Sequence, residues 1–268
     1  PTEWVNLRTS FAKGFRAPQA FDEDLHITAV GGEVQLIKLD ENLRPEHSNS
    51  FSASAEFNPD FGKVLTNFVV EGFYTDINDV FYLNETGTDT LGNTILTRTN
   101  GLGAVVKGIN LEARIVPNAK SSLQAGFTLQ SSLYKEAQTW SSNEALKPIR
   151  QMFRSPGRYG YVTFSYTPAK PLTLALSGTY TGPMLVQHFG PDPSTDKEVW
   201  TPDFYDVNLK ASYDIRIDGS MLLQLNAGVQ NLFNSFQNDF DTGVTRDAGY
   251  MYGPSLPRSY FAGIKLML

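Results

Sequence analysis

The chain contains no cysteine, which removes disulfides, thiolate nucleophiles and cysteine-ligated metals together. Histidine is nearly as scarce. His26, His47 and His188 are the only three, and none has the spacing that pairs two imidazoles on one metal. No apolar run approaches the roughly 18 residues of a membrane-spanning helix. That excludes helical spans but not strands, which cross a bilayer on alternating hydrophobicity. Charge is thin, at 19% against the roughly 25% of a soluble domain. The net charge of −6 and pI near 5.1 argue against a nucleic-acid partner, which needs clustered positive charge. Enzyme templates are missing too: there is no H-E-x-x-H and no G-x-S-x-G. The stretch GLGAVVKG at 101–108 lacks the full glycine pattern of a nucleotide loop. It also leads into a strand, so no helix N-terminus is there to cradle phosphate. No enzymatic activity and no cofactor are expected. Nor is there a basic and apolar leader. Pro1 is followed directly by the strand-like TEWVNLRTSF, and the expectation is that the N-terminal part of a longer protein precedes it.

What is present is alternation. Hydrophobic residues make up 41% and aromatics 12%, which rules out a disordered chain. Mean hydropathy nevertheless stays at −0.26. Period-2 patterning runs almost throughout and decides the class as all-β. Phe51, Ala53, Ala55 and Phe57 oppose Ser50, Ser52, Ser54 and Glu56. Tyr205, Val207, Leu209, Ala211 and Tyr213 oppose Asp206, Asn208, Lys210, Ser212 and Asp214. The pattern predicts ten antiparallel strands, at 4–12, 48–58, 64–84, 96–116, 121–134, 158–167, 172–182, 204–217, 221–232 and 258–268. The turns between them alternate strictly: short ones near 58–63, 117–120, 168–171 and 218–220, long ones at 13–47, 85–95, 135–157, 183–203 and 233–257. An outer-membrane barrel segregates its loops this way, with short turns in the periplasm and long loops outside. Val5, Leu7, Phe51, Phe57, Leu174, Leu176, Val207, Leu209, Ile264 and Leu266 are then expected to face lipid. Ser52, Ser54, Thr173, Ser177, Asn208 and Lys210 are expected to face the lumen. Ten strands would leave two open edges, at 4–12 and 257–268, which lipid does not tolerate unpaired. Partner strands outside this chain are expected there.

Four stretches carry a resemblance. FAKGFRAPQAFDEDLH (11–26) looks like a FRAP box, where a strand leaves the membrane for a large outer loop. LDENLRPEHSNSFSASAEF (39–57) is similar to an NPNL-KPE box, with Asp40-Glu41 replacing the usual Asn-Pro. FYTDINDVFY (73–82) is followed by VVKGINLEARIVP (105–117). LNAGVQNLFN (225–234) precedes the terminal strand LPRSYFAGIKLML. In this order and spacing the chain resembles TonB-dependent outer-membrane receptors over essentially its whole length. The resemblance implies that residues 1–268 form the C-terminal portion of one transmembrane β-barrel domain, about ten strands of a barrel of about 22. An N-terminal plug, a TonB box and the earlier strands would lie outside the chain. It also implies TonB-energised import of a scarce nutrient, with a ferric siderophore or other metal chelate as first choice. Haem, cobalamin and oligosaccharide are the alternatives for cargo. A passive porin, a structural barrel or a barrel enzyme are the alternatives for class. The implied partners are outer-membrane lipid and lipopolysaccharide, TonB, and a small-molecule ligand.

The outer loops are where recognition is expected, because loops on a rigid frame commonly hold binding residues. Arg16 opens the first loop. In haem receptors of the family a loop histidine in the region of His26 ligates iron, and neutral imidazole is a suitable ligand; an ordinary loop histidine is the alternative. Asp22, Glu23 and Asp24 beside it could hold Ca²⁺ with hard oxygens, though not in EF-hand spacing. A solvated acidic turn is the simpler account of them. Arg150 and Arg154, with Lys147 and Arg158 nearby, suit an anionic chelate through the guanidinium fork, or else lipopolysaccharide or water. Trp4, Tyr74, Phe164, Tyr166, Tyr180, Tyr205 and Tyr213 are expected to form interfacial girdles.

Overall fold

The structure is a computed structural model and describes residues 3–18, 36–90, 94–219 and 221–267. Its first half holds β1 (Val5–Arg16), β2 (Leu36–Leu39), β3 (Glu46–Phe57), β4 (Leu65–Asn78), β5 (Phe81–Thr88), β6 (Thr94–Asn100), β7 (Ala104–Asn118) and β8 (Ser121–Gln138). The second holds β9 (Ile149–Gln151), β10 (Arg158–Ala169), β11 (Leu172–Thr181), β12 (Leu185–His188), β13 (Lys197–Trp200), β14 (Phe204–Asp218), β15 (Met221–Gln230) and β16 (Ser259–Met267). Among the described residues the only helix is a 3-10 turn at Pro193–Thr195. Ten strands form one antiparallel wall in the order β1-β3-β4-β7-β8-β10-β11-β14-β15-β16, with β9 appended to β8. β1 and β16 stand at its two ends.

Register gives the wall two different faces. One row across it reads Leu7, Ala55, Val70, Leu111 and Phe127; the next reads Arg8, Ser54, Glu71, Asn110 and Thr128. Side chains directly opposite one another share a face, so the alternation seen in each strand is kept in phase from strand to strand. The residues expected to face lipid all fall on the first face, and those expected to face the lumen on the second. The expected aromatic girdle residues of the strands, Tyr74, Phe164, Tyr166, Tyr180, Tyr205 and Tyr213, are on the first face as well. Polar cross-strand pairs lace the second: Arg8 Nη2 donates to Glu56 at 2.7 Å, Thr128 Oγ1 to Asn110 at 2.9 Å, and Ser212 Oγ to Asn226 at 2.8 Å.

Among the described residues only Ala104, Met184, Leu185, Val186, Phe204 and Tyr250 are buried apolar side chains. The large apolar residues lie out in the open instead, even in mid-wall, where Leu111 is 43% and Leu209 38% exposed. An apolar surface of this extent is paired with a polar opposite face, and lipid is the solvent that covers it. Bulk is matched across strands rather than in a core. Gly126 faces Tyr161, and a Cβ at Gly126 would come 2.4 Å from Tyr161 Cε1. The ring occupies the space that the glycine leaves, which compensates for the weak packing of a strand glycine.

The expected strands 64–84 and 96–116 are each broken. β4 ends at Asn78 and β7 begins at Ala104; between them β5 and β6 form a hairpin that joins β2 in a separate three-stranded sheet. Asp79 (φ 58°) and Gly103 (φ 121°) make the two corners. Aspartate tolerates the left-handed region better than most residues. At Gly103 a Cβ would lie 1.9 Å from the Ile77 carbonyl oxygen, so only glycine fits. Neither corner carries a proline, and the apolar residues after each, Val80 to Leu83 and Ala104 to Val106, read in the sequence as a continuing strand.

Candidate functional site

Among the described residues the long connections lie at one end of the wall, and three of them knit into one body over the polar face. These are the segments 139–157, 182–203 and 231–258. Local chemistry builds each. Asp192 caps the 3-10 turn by accepting from the Ser194 amide, with Pro193 in its first turn. The β12–β13 hairpin that brackets this turn pairs Leu185 with Trp200 and His188 with Lys197. Asn231, buried at the end of β15, takes a left-handed φ of 51° and accepts from the Ser235 amide at 2.8 Å.

Buried or half-buried aspartates then tie the loops together. Asp196 accepts from the Gly190 amide at 2.9 Å and from Ser141 Oγ at 2.6 Å. Asp247 accepts from the Phe189 amide at 3.0 Å and the Gly249 amide at 2.8 Å. Asp241 accepts from the Asp247 amide at 2.9 Å and from His188 Nε2 at 3.0 Å. The imidazole must be the donor there, since a carboxylate only accepts. Its ring stacks on Tyr250 with centroids 4.0 Å apart. Tyr250 and Tyr252 both donate to Asp239, the latter at 2.7 Å. Burial and the Asp239 carboxylate raise both phenols above their ordinary range, so they stay protonated donors. Trp140 bridges the first two loops: its Nε1 donates to Glu198 at 3.0 Å, and its ring meets Phe153 and Phe189 edge-on.

The His188 hydrogen bond, seconded by the Asp247 amide, holds the Asp241 carboxyl below the usual carboxylate range. A depressed folded-state value means that the contact stabilises the loops above the unfolded carboxyl pKa of about 3.9 and is lost as pH falls through the folded value. Protection of the amides in residues 239–250, measured against their intrinsic exchange rates, should therefore be high at neutral pH and fall as the pH drops below about 4. Unchanged protection at neutral pH in an Asp241→Asn variant would mean that the Asp241 carboxylate does not hold the loop.

The residues singled out from sequence fare differently. Arg154 is committed to architecture. Its Nη1 and Nη2 donate to the carbonyls of Met251 at 2.6 Å and Gly249 at 2.5 Å, and its amide to Leu185 O at 2.8 Å. One arginine thus clamps all three loops. Arg150 donates Nε to Tyr134 O at 2.9 Å and is otherwise exposed. The two arginines thus have different partners, and only Arg154 is tied to the other loops. Arg16 ends β1 beside Glu46 at 3.8 Å and lies 5.6 Å over the Phe81 ring. Glu46 also accepts from the Phe81 amide at 2.7 Å, so Arg16 helps anchor the β5–β6 hairpin. Asp22, Glu23, Asp24 and His26 lie outside the described residues. Sequence reading missed Asp196, Asp241, Asp247 and Gln237 altogether. Only the Asp-Pro-Ser-Thr-Asp turn at 192–196 gave a local signal.

A two-faced wall that shows its apolar side to solvent, and an end capped by interlocked polar loops, match the family described as TonB dependent receptor-like, beta-barrel, over residues 1–232. The chain belongs to the TonB-dependent receptor family. It is an outer-membrane β-barrel protein, and the family is one of transporters, not enzymes. Similar solved structures include the ferric-catecholate import receptor Fiu of E. coli K12, at 18% identity and TM-score 0.65 over 99% of this chain. They also include the siderophore receptor PirA of Acinetobacter baumannii (16%, 0.64, 98%) and a mutant ferric enterobactin receptor PfeA of Pseudomonas aeruginosa (17%, 0.64, 99%). The chain spans only 33%, 39% and 38% of those receptors. No curated protein matches it. At these identities the likeness establishes the shared fold.

Proposed function

We propose that this chain is the C-terminal wall and outer loop body of a TonB-energised importer of a metal chelate, with a ferric siderophore as first choice. A plug, a TonB box and the earlier strands would belong to the rest of the protein. The observation that carries the reading is the loop body itself: rigidly cross-tied, set over the polar face, and mounted on a wall that faces lipid on its other side. Siderophore and ferric-catecholate receptors among the similar structures support the choice of cargo. Of the arginines, Arg150 suits recognition better than Arg154, because its terminal nitrogens are not spent on loop carbonyls.

The test uses the full-length receptor in iron-limited cells. Arg150→Ala with Lys147→Ala should weaken uptake of an anionic ferric chelate about tenfold, roughly 1.4 kcal/mol, while leaving haem-dependent growth unchanged. If haem is the cargo, His26→Ala should instead abolish growth on haem. Deletion of 19–35 together with 139–148 without loss of uptake of any chelate would place recognition elsewhere in the protein.

A further inference from the structure

We propose that the polar face of the wall carries an anion site of its own, centred on Lys210 and separate from the loop body, that takes the oxygen donors of an anionic chelate on its way inward. The role in passage rests on the import reading above; the site itself rests on register and on groups left unpaired. Lys210 stands near the middle of β14. One row across six strands reads Ser122, Ser165, Ala175, Lys210, Gly228 and Phe261. Both neighbours of Lys210 in that row are small, so the ammonium stands in a hollow. Phe261 closes one side, its ring lying where a Cβ at Gly228 would come 2.6 Å from Cζ. The next row toward the loops adds Thr163, Ser177 and Asn208. Together they line a groove of about 430 Å³, within the ~300–1,000 Å³ of small-molecule sites.

The polar groups of this groove are left open, whereas elsewhere the wall closes its own pairs. Arg8 meets Glu56 at 2.7 Å, Lys135 meets Asp76 at 2.6 Å, and the hydroxyls of Ser10 and Ser52 lie 2.8 Å apart. Among the described residues Lys210 is exposed and has neither ion pair nor hydrogen bond, and the hydroxyls of Ser122, Thr163, Ser165 and Ser177 have no hydrogen-bond partner. The neighbouring strands β10, β11, β15 and β16 contain no Asp or Glu. On β14 itself Asp206 and Asp214 are each four residues from Lys210, ~13 Å of extended chain, and Asp214 already accepts from Gln224 at 2.8 Å. An ammonium with three donors, ringed by hydroxyls and with no carboxylate in reach, matches a cluster of anionic oxygens: a carboxylate, a phosphate or the catecholate edge of a chelate. Water satisfies such exposed groups at rest and is displaced when the anion arrives.

Two measurements on the full-length receptor test the site. The first labels lysines of the purified receptor with trinitrobenzenesulfonate, read by peptide mass spectrometry, with and without inorganic pyrophosphate. Lys210 should react in the unloaded receptor, and pyrophosphate should slow it several-fold relative to the exposed Lys63 of a short turn. Ser165→Ala with Ser177→Ala should leave the labelling and remove most of that protection. A Lys210 that the reagent never reaches is covered by the rest of the protein, and overturns the site; so does labelling that pyrophosphate leaves unchanged. The second follows a radioiron tris-catecholate in energised cells. Lys210→Gln should leave binding at the cell surface unchanged and lower uptake at saturating chelate about tenfold, the effect of one hydrogen-bonded charge, while Lys210→Arg keeps most of it. Heat-modifiable gel mobility confirms that each variant is folded. Wild-type uptake by Lys210→Gln would overturn the role in passage. A wild-type receptor that neither binds nor imports the tris-catecholate would count against the import reading instead, and the pyrophosphate measurement then decides the site alone.

Discussion

Replacing Leu209 by arginine is expected to prevent stable insertion of the full-length receptor, while the same change at the adjacent Asn208 is tolerated. Leu209 pairs with Leu176 on one side and Val229 on the other, in the middle of the lipid face and far from either rim. The interfacial rings Tyr205 and Tyr213 lie about four residues away on either side along β14, so the guanidinium has no short path to the headgroups by extending its stem. Arginine at the midplane of a barrel's lipid face costs about 2–4 kcal/mol, a large share of a marginal stability. Asn208 points the other way. It pairs with Ser177 and donates no apolar surface to lipid; its Oδ1 accepts from the Asn231 amide at 2.9 Å. Loss of that hydrogen bond costs about 1 kcal/mol, and the new charge sits in the polar lumen. Urea unfolding in lipid vesicles separates the two. Equal destabilisation by both substitutions would mean that the faces are not lipid and lumen.

This contrast was legible in the sequence because a strand has a period of exactly two residues' worth of information: a glance at 204–217 assigns every side chain to one face or the other. Register, not read from sequence, then proved to keep those faces in phase across all ten wall strands. The corners at Asp79 and Gly103 were not legible. Each depends on one left-handed residue beside a run of strand-forming apolar residues, and only the approach of Gly103 to the Ile77 carbonyl shows why the chain must turn there. The loop body was less legible still. Arg150 and Arg154 look alike in sequence and differ in role because the partners of Arg154, Gly249 and Met251, lie nearly a hundred residues away. Asp241 and Asp247 gave no signal of the contacts that join the loops, since those donors, His188 and the Phe189 amide, come from another loop. Patterns with a short period can be read from the chain; tertiary hydrogen bonds between irregular segments cannot.

The strongest test of that loop body is Gln237→Leu, which should melt the last loop and leave the barrel standing. Gln237 is 1% exposed and satisfies three backbone groups with one amide. Its Nε2 donates to Tyr250 O at 3.0 Å, and its Oε1 accepts from the amides of Tyr252 at 2.8 Å and Gly253 at 3.2 Å. Leucine matches the amide in size and offers none of these bonds. Each orphaned buried group costs about 1–3 kcal/mol, so the sum exceeds what a segment held mainly by polar contacts can bear. Opening to water is then the cheaper state. Amide exchange in 237–253 should rise by at least two orders of magnitude, while β14 and β15, held by their own ladder, stay protected. The damage should spread along two contacts. His188 loses the Tyr250 ring stacked on it, and Arg154 loses the two carbonyls that its fork spans, so exchange should also quicken near 185–190 and 152–156. Protection unchanged in 237–253 would show that Gln237 is not the keystone of this loop. Fast exchange there with undiminished chelate uptake would show instead that the loop body is built for something other than holding cargo.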